Sequence, residues 1–562
     1  MLRRGLTGAA LRIVSAATIE PGNSFMKRHT YLAACAAFTF AVTPFAPLAA
    51  GGEDQIPEII DEGMSHSQAM VAASELMDGI GPRLTNSEGY DRAAAWALDR
   101  FRQMGLSNVR TESYQFGLGW NLDSWSARMI EPRWLDMRSI PVAWSPPTAG
   151  ALSAPVVLAP MDGEDDFDRW RGQLAGKIVL ISEPGRASES TRAPFRRYEG
   201  SDFGGMDHFD FPPDNLTPYD SFLARLSFPQ QLSEFLAAEG AVAMVRTSAR
   251  GNGLVHGEGY AYTPNARYAL PFVELAQEDY NRLARLEMAG NAPTIELTVN
   301  ARIDEDDQTA ENLFAEIRGT DPSAGYVMAG AHFDSWHAAD GATDDGAGSI
   351  VVMEAARILA SLDVRPRRTI RFALWSGEEQ GLLGSMNYVE THIATRPVDR
   401  SASPIEQFAQ WEGAFPVTPL AGFDEMKAYF NLDNGAGRIR GIYAENNVAA
   451  EPMLQRWLAP FAGLGATAVV TSGTDGTDHQ MMAAIGLPAF QFIQDPLDYG
   501  TLTHHTSVDT LDHMPPDDVR QAATIMAAML WQAANSDEDL PRAPLPTAPS
   551  RSDPFHWEDP AD

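Results

Sequence analysis

Tyr326-Val327-Met328-Ala329-Gly330-Ala331-His332-Phe333-Asp334 and Thr369-Ile370-Arg371-Phe372-Ala373-Leu374-Trp375-Ser376-Gly377-Glu378-Glu379 share one plan: an apolar run of strand length that ends in ionisable side chains. Met426–Leu432 repeats the plan and runs into Asp433. Two more strand-like runs lie at Ala466–Thr471 and Ala489–Ile493, and helical spacing is found over Gly346–Leu362, Gln380–Thr391, Val448–Leu458, Asp478–Ala484 and Asp517–Ala533. Strands alternating with helices predict an α/β fold, with a mostly parallel central sheet and helices on both faces. In such an open sheet, ligands bind beyond the carboxyl ends of the strands. The ionisable groups after the three strands are therefore expected to meet in one crevice.

Working outward, residues 55–118 read as a helical entry region. It has a helix over Ser65–Met77, a break at Gly81-Pro82-Arg83, a helix over Tyr90–Met104 and a strand over Val109–Phe116. Residues 119–300 are richer in proline, glycine and aromatics. Short strands are expected there at Ala154–Leu158, Lys177–Ile181, Val242–Val245 and Thr294–Val299, with Asp202–Tyr219 as a long irregular loop. This stretch reads as a β-rich insert between 51–118 and 301–535, which together form the other domain. The tail, 536–562, is rich in Pro, Asp and Ser and is expected to be disordered.

The N-terminal stretch 1–50 reads as a secretory signal, with Met26 as an alternative start. Met26-Lys27-Arg28 supplies the basic end, Tyr31–Ala50 the apolar stretch and Ala49-Ala50 the small-residue exit. Export across the inner membrane, to periplasm or medium, is the expectation. The single cysteine, Cys35, lies in this segment; Leu32-Ala33-Ala34-Cys35 also resembles a lipoprotein box. A cleaved chain would have neither disulfides nor thiolate ligands, so any zinc would be held by His, Asp and Glu. No apolar run after residue 50 is long enough to span a bilayer. With 75 acidic against 42 basic residues the net charge is −33, which argues against a nucleic-acid partner.

The candidate chemistry lies in five scattered places. His332-x-Asp334 could be a plain strand exit, or a zinc ligand near an orienting carboxylate. Gly341-Ala342-Thr343-Asp344-Asp345-Gly346 could be an acidic helix start, and Glu378-Glu379 a solvated one. Asp433 could be a turn carboxylate, and His505 is weak alone. His504 and His479 are poorer candidates. Taken together, His332, Asp344, Glu379, Asp433 and His505 suit two zinc ions sharing one carboxylate, with a spare carboxylate left to deprotonate water. There is no Gly-x-Ser-x-Gly elbow and no His-Glu-x-x-His helix.

Four motifs in this order resemble zinc peptidase family M28, of the aminopeptidase and glutamate carboxypeptidase type. They are His332-Phe333-Asp334-Ser335-Trp336, Gly341–Gly346, Leu374–Gly381 and His504-His505-Thr506-Ser507-Val508-Asp509-Thr510, and Gly81–Ser87 resembles the family's entry segment. The resemblance spans about residues 60 to 535. It implies the zinc aminopeptidase fold and two Zn2+ ions per subunit. Asp344 would bridge them, Glu379 and His505 would complete one site, and His332 and Asp433 the other. Glu378 would be the general base and Asp334 the partner of His332. Leu174–Ile181 and Glu239–Val245 make 119–300 similar to a protease-associated insert. The implied substrates are dipeptides or short peptides. Asn431-Leu432-Asp433-Asn434 is closer to the aminopeptidase version, so aminopeptidase, dipeptidase and carboxypeptidase all stay open, as does a homodimer. The rival readings are a non-catalytic receptor-like protein on the same fold and a single-zinc glutaminyl cyclase.

Overall fold

A strand buried on both faces needs apolar side chains at every position, and Tyr326–His332 is buried throughout. In the computed structural model it lies at the centre of an eight-stranded sheet. Residues 55–185, 193–210, 219–259, 266–411 and 413–547 are described. The expected signal segment, residues 211–218 of the expected loop and the tail beyond 547 lie outside them. Across the sheet the strands run Ser107–Gln115, Thr309–Ile317, Thr369–Trp375, Tyr326–His332, Met426–Asn431, Ala489–Gln494, Ile439–Tyr443 and Ala468–Val470. The four strands starting at 369, 326, 426 and 489 are mutually parallel. The flanks are less regular than the expected parallel sheet, since Thr309–Ile317 and Ile439–Tyr443 pair antiparallel to the central block. Glu311, Asn312 and Glu316 interrupt the apolar pattern of the first of these, and the second is only five residues long.

Alternate side chains of the central strand feed two cores. Val327, Ala329 and Ala331 pack on one side with the helices Ala347–Ser361 and Pro516–Asn535, whereas Tyr326 and Met328 pack on the other with Tyr388, Met481 and Ile485. The entry helix expected over Ser65–Met77 is two helices, Ile56–Ser65 and Ala69–Met77. The break lets the Gln68 amide donate to the buried Glu354 carboxylate at 2.9 Å. From Tyr326–His332 the chain crosses to Thr369–Trp375 on one side and later to Met426–Asn431 on the other. The strand order reverses there, and that opens a crevice at the carboxyl ends.

A second eight-stranded sheet is built from residues between Gly119 and Asp304. Its centre is parallel, and it carries helices Tyr219–Ala238 and Gln277–Met288. The insert is thus α/β rather than simply β-rich; Pro229 lies inside the longer helix and obscured its period. The helix Gly200–Met206 also takes in the start of Asp202–Tyr219, the stretch read as a loop. The insert core runs without a gap into Tyr114, Phe116 and Trp336. Residues 536–547 are docked, not loose. Leu540 is buried, Asp539 pairs with Arg368 at 2.7 Å, and the Pro541 carbonyl accepts from Asn447. No helix among the described residues is long and apolar enough to cross a membrane.

Inside the insert, Glu274 on Phe272–Leu275 is 2% exposed, with Arg246 at 2.6 Å and His256 Nδ1 at 3.0 Å. Burial pushes its carboxyl up, but Arg246 and the His256 hydrogen bonds outweigh that and bring it down to about 2. The stabilisation is complete above pH about 4.5 and is lost as pH falls toward 2. It amounts to about 3 kcal/mol at 1.36 kcal/mol per pH unit. Thermal unfolding of Glu274→Gln from pH 7 to 3 should show a lower Tm at pH 7 and a shallower fall with acid than the parent. A parallel pair of curves would remove Glu274 from the acid response.

Candidate metal centre

The strand ends place the site. His332 closes its strand level with Trp375 on the neighbour, and Asn431 on the other side is level with Gly330. Glu378, Glu379 and Asp433 therefore emerge at the same edge as His332. Asp344 comes from the loop before helix Ala347–Ser361 and is joined to Asp345 by a cis peptide. Gly348 must lack a side chain, because a Cβ there would meet the Leu432 carbonyl and the Asp345 carboxylate.

The loops are held by side chains from the entry segment. Buried Arg83 donates to the carbonyls of Phe333 (2.8 Å), Asp340 (2.6 Å) and Gly341 (2.8 Å). Thr85 Oγ1 donates to Asp334 Oδ2 at 2.8 Å and accepts from the Gly377 amide at 3.0 Å. Asp509 accepts from the Thr343 and Asp344 amides at 2.7 and 3.1 Å. The Gly81–Ser87 motif is thus a clamp on two of the site's loops.

All five expected ligands and Glu378 come together. His332 Nε2 is 3.2 Å from Asp344 Oδ1, 3.6 Å from Asp433 Oδ1 and 4.0 Å from Glu378 Oε2. His505 Nε2 is 3.2 Å from Asp344 Oδ2 and 3.0 Å from Glu379 Oε2. Each oxygen of Asp344 thus faces a different histidine. Asp345 joins His332 and Asp433 in one ligand-sized group, and His504 joins Asp344 and His505 in another. His504 is stacked on the His505 ring at 3.9 Å, with its Nε2 3.8 Å from Asp344. A cleft lined by Trp336, Gly341, Asp344, Glu379, His505 and Asp509 opens onto this cluster.

The donor set fits a cation. His505 Nδ1 is 2.7 Å from Glu258 Oε1, and a carboxylate only accepts, so this nitrogen carries the proton. In the neutral ring, Nε2 then presents a lone pair to two carboxylate oxygens about 3 Å away. Asp344 Oδ2 is buried, with His505 Nε2 3.2 Å away as its nearest histidine nitrogen. Converging lone pairs of this kind suit a divalent ion of the His- and carboxylate-binding sort.

The electrostatics agree. Burial opposes charge on both histidines, yet Glu378, Asp433 and Asp344 raise His332 well above its ordinary range, and Glu379 and Asp344 do the same for His505. Burial, with Asp433, Asp478 and Glu379 beside it, lifts Glu378 well above the carboxylate range against the pull of His332. Burial lifts Glu379 to about 7, with His505 pulling down and Asp344 pushing up. Burial also pushes Asp344 up, but His505 and His332 outweigh it and hold it well below the usual range.

Two details differ from the sequence reading. Asp334 is only a distant partner for His332: His332 Nδ1 meets the Asp334 backbone carbonyl at 3.0 Å, and the carboxylate stands 3.8 Å away. That carboxylate is turned by Thr85 and accepts instead from the Glu378 and Glu379 amides, at 3.3 Å each. It orients the turn bearing the two glutamates. Sequence reasoning also missed Glu258, which lies 247 residues from His505 in a stretch of His256-Gly257-Glu258-Gly259 that carries no motif.

Residues 312–530 match the model of peptidase family M28. The chain is a zinc metallopeptidase. This zinc metallopeptidase is similar to carboxypeptidase Q of Mus musculus, 25% identical over 83% of this chain and 86% of the relative. It is likewise similar to carboxypeptidase Q of Homo sapiens, 23% identical over 86% and 88%. Among solved structures it resembles a peptidase M28 precursor from Shewanella amazonensis, with TM-score 0.62 and 24% identity over 88% of this chain and 98% of that one. It also resembles BSAP, a zinc aminopeptidase from Bacillus subtilis, with TM-score 0.52 and 20% identity over 84% and 98%. At these identities the structural likeness establishes the mixed α/β fold.

Proposed function

We propose that this zinc metallopeptidase is a two-zinc exopeptidase acting on dipeptides or short peptides. The observation that carries the reading is Asp344, whose two oxygens each stand 3.2 Å from a different histidine. A carboxylate so placed can bridge two ions, with His332 and Asp433 on one side and Glu379 and His505 on the other. Bound zinc would acidify water and polarise the scissile carbonyl. Glu378, within reach of the cluster but not needed to hold it, takes the proton from the attacking water and passes it to the leaving amine. Asp334 keeps Glu378 and Glu379 in place through their amides.

The exopeptidase reading draws on the names of the relatives, carboxypeptidase Q and, over part of the chain, leucine aminopeptidase 2 of Trichophyton equinum. We read residues 119–300 as a protease-associated insert and residues 1–50 as an export signal. A screen of dipeptides, aminoacyl amides and doubly blocked peptides, with and without a chelator, tests the function. Free dipeptides or aminoacyl amides should be cleaved, blocked peptides spared, and turnover lost with chelator and restored by zinc. Cleavage of blocked peptides at internal bonds, or indifference to chelator, would overturn it.

A further inference from the structure

We propose that Glu258, from the insert, is the positioning residue for His505, so that the insert completes the metal centre. The inference rests on the two-zinc reading and extends it to a residue that no motif marks. Glu258 Oε1 accepts from His505 Nδ1 at 2.7 Å, and this fixes the tautomer whose Nε2 faces Asp344 and Glu379. A carboxylate behind a ligating histidine orients the ring and raises its basicity.

The contact is built. Arg246, held by the buried Glu274, donates to the Glu258 backbone carbonyl at 2.9 Å. The Ser507 amide donates to the Val255 carbonyl at 2.9 Å, tying the His505 loop to the same insert segment. His505 itself has φ +60°, a left-handed conformation uncommon among residues other than glycine. His332 has no carboxylate at hydrogen-bond distance on that side: its Nδ1 bonds the Asp334 backbone carbonyl at 3.0 Å, and the Asp334 carboxylate stands 3.8 Å away. The two ions therefore depend unequally on the insert.

The test is equilibrium zinc binding to the full-length protein by chelator competition, for the parent, Glu258→Ala and Glu258→Gln. It is paired with visible spectra of the cobalt-substituted proteins and with Tm of the metal-free forms. Glu258→Ala should weaken one zinc by about 10- to 100-fold, leave the other within about twofold and alter the cobalt spectrum. Glu258→Gln keeps an acceptor oxygen without the charge, and should recover part of the loss. Parental zinc affinity and an unchanged spectrum in both variants would overturn the positioning role. So would equal weakening of both ions with a lowered metal-free Tm, which marks general loosening. Fewer than two zinc ions in the parent would overturn the two-zinc reading, separately from the comparison of variants.

Discussion

Glu378→Gln is expected to bind zinc as the parent does and to lose turnover by about 10^3- to 10^4-fold, the upper part of the range for removing a general base. The substitution keeps the shape of the side chain and removes its ability to accept a proton. The backbone of Glu378 is anchored by Asp334 and its turn by Thr85, so the fold of the loop should not change. The side chain is buried, stands 4.0 Å from His332 and has Asp433 and Glu379 as neighbours, so it borders the ion site for which His332, Asp344, Glu379, Asp433 and His505 are the proposed ligands. The loss should fall on kcat, with KM little moved, because the proton moves only in the transition state. Zinc content by elemental analysis and steady-state kinetics on one cleaved dipeptide check both halves. A variant retaining more than about a tenth of the parental rate would place the proton transfer elsewhere.

Asp344→Ala should behave differently. It is expected to lower bound zinc from two ions to at most one and to reduce turnover at least as far as Glu378→Gln. One carboxylate faces both histidines, so its removal takes a ligand from each half of the site at once. The remaining pairs, His332 with Asp433 and His505 with Glu379, each keep too few protein ligands for tight binding. The fold should survive, since Thr343 and the neighbouring amides remain tied to Asp509. Elemental analysis of the purified variant is the readout. Two zinc ions retained would mean that Asp344 does not bridge. Together the variants separate a group that holds metal from one that moves a proton.

Much of the centre was legible because its residues follow strands. Each apolar run from 326, 369 and 426 ends in the ionisable side chain that the crevice needs, and parallel neighbours in register bring those ends level. The clamp by Arg83 and Thr85 was visible as a motif but not as a role, since it acts on a carbonyl 250 residues away and an amide 292 residues away. The turn of the Asp334 carboxylate away from His332 was not legible either. Spacing puts an acid two residues from a histidine, and Thr85 then competes for it. The docked segment 536–547 has the composition of a loose tail; its order comes from Arg368, Lys427 and Asn447, which lie elsewhere in the chain.

By itself the amino-acid order determined the α/β class, the strands of the central block and the four site side chains that follow them, His332, Glu378, Glu379 and Asp433, because period and burial are written in consecutive residues. Only the tertiary structure decided that Asp344 lies between the two histidines, that the outer strands run antiparallel, and that Glu258 reaches His505. Those depend on register and on how the insert packs, and no local stretch of sequence encodes a distance across the fold.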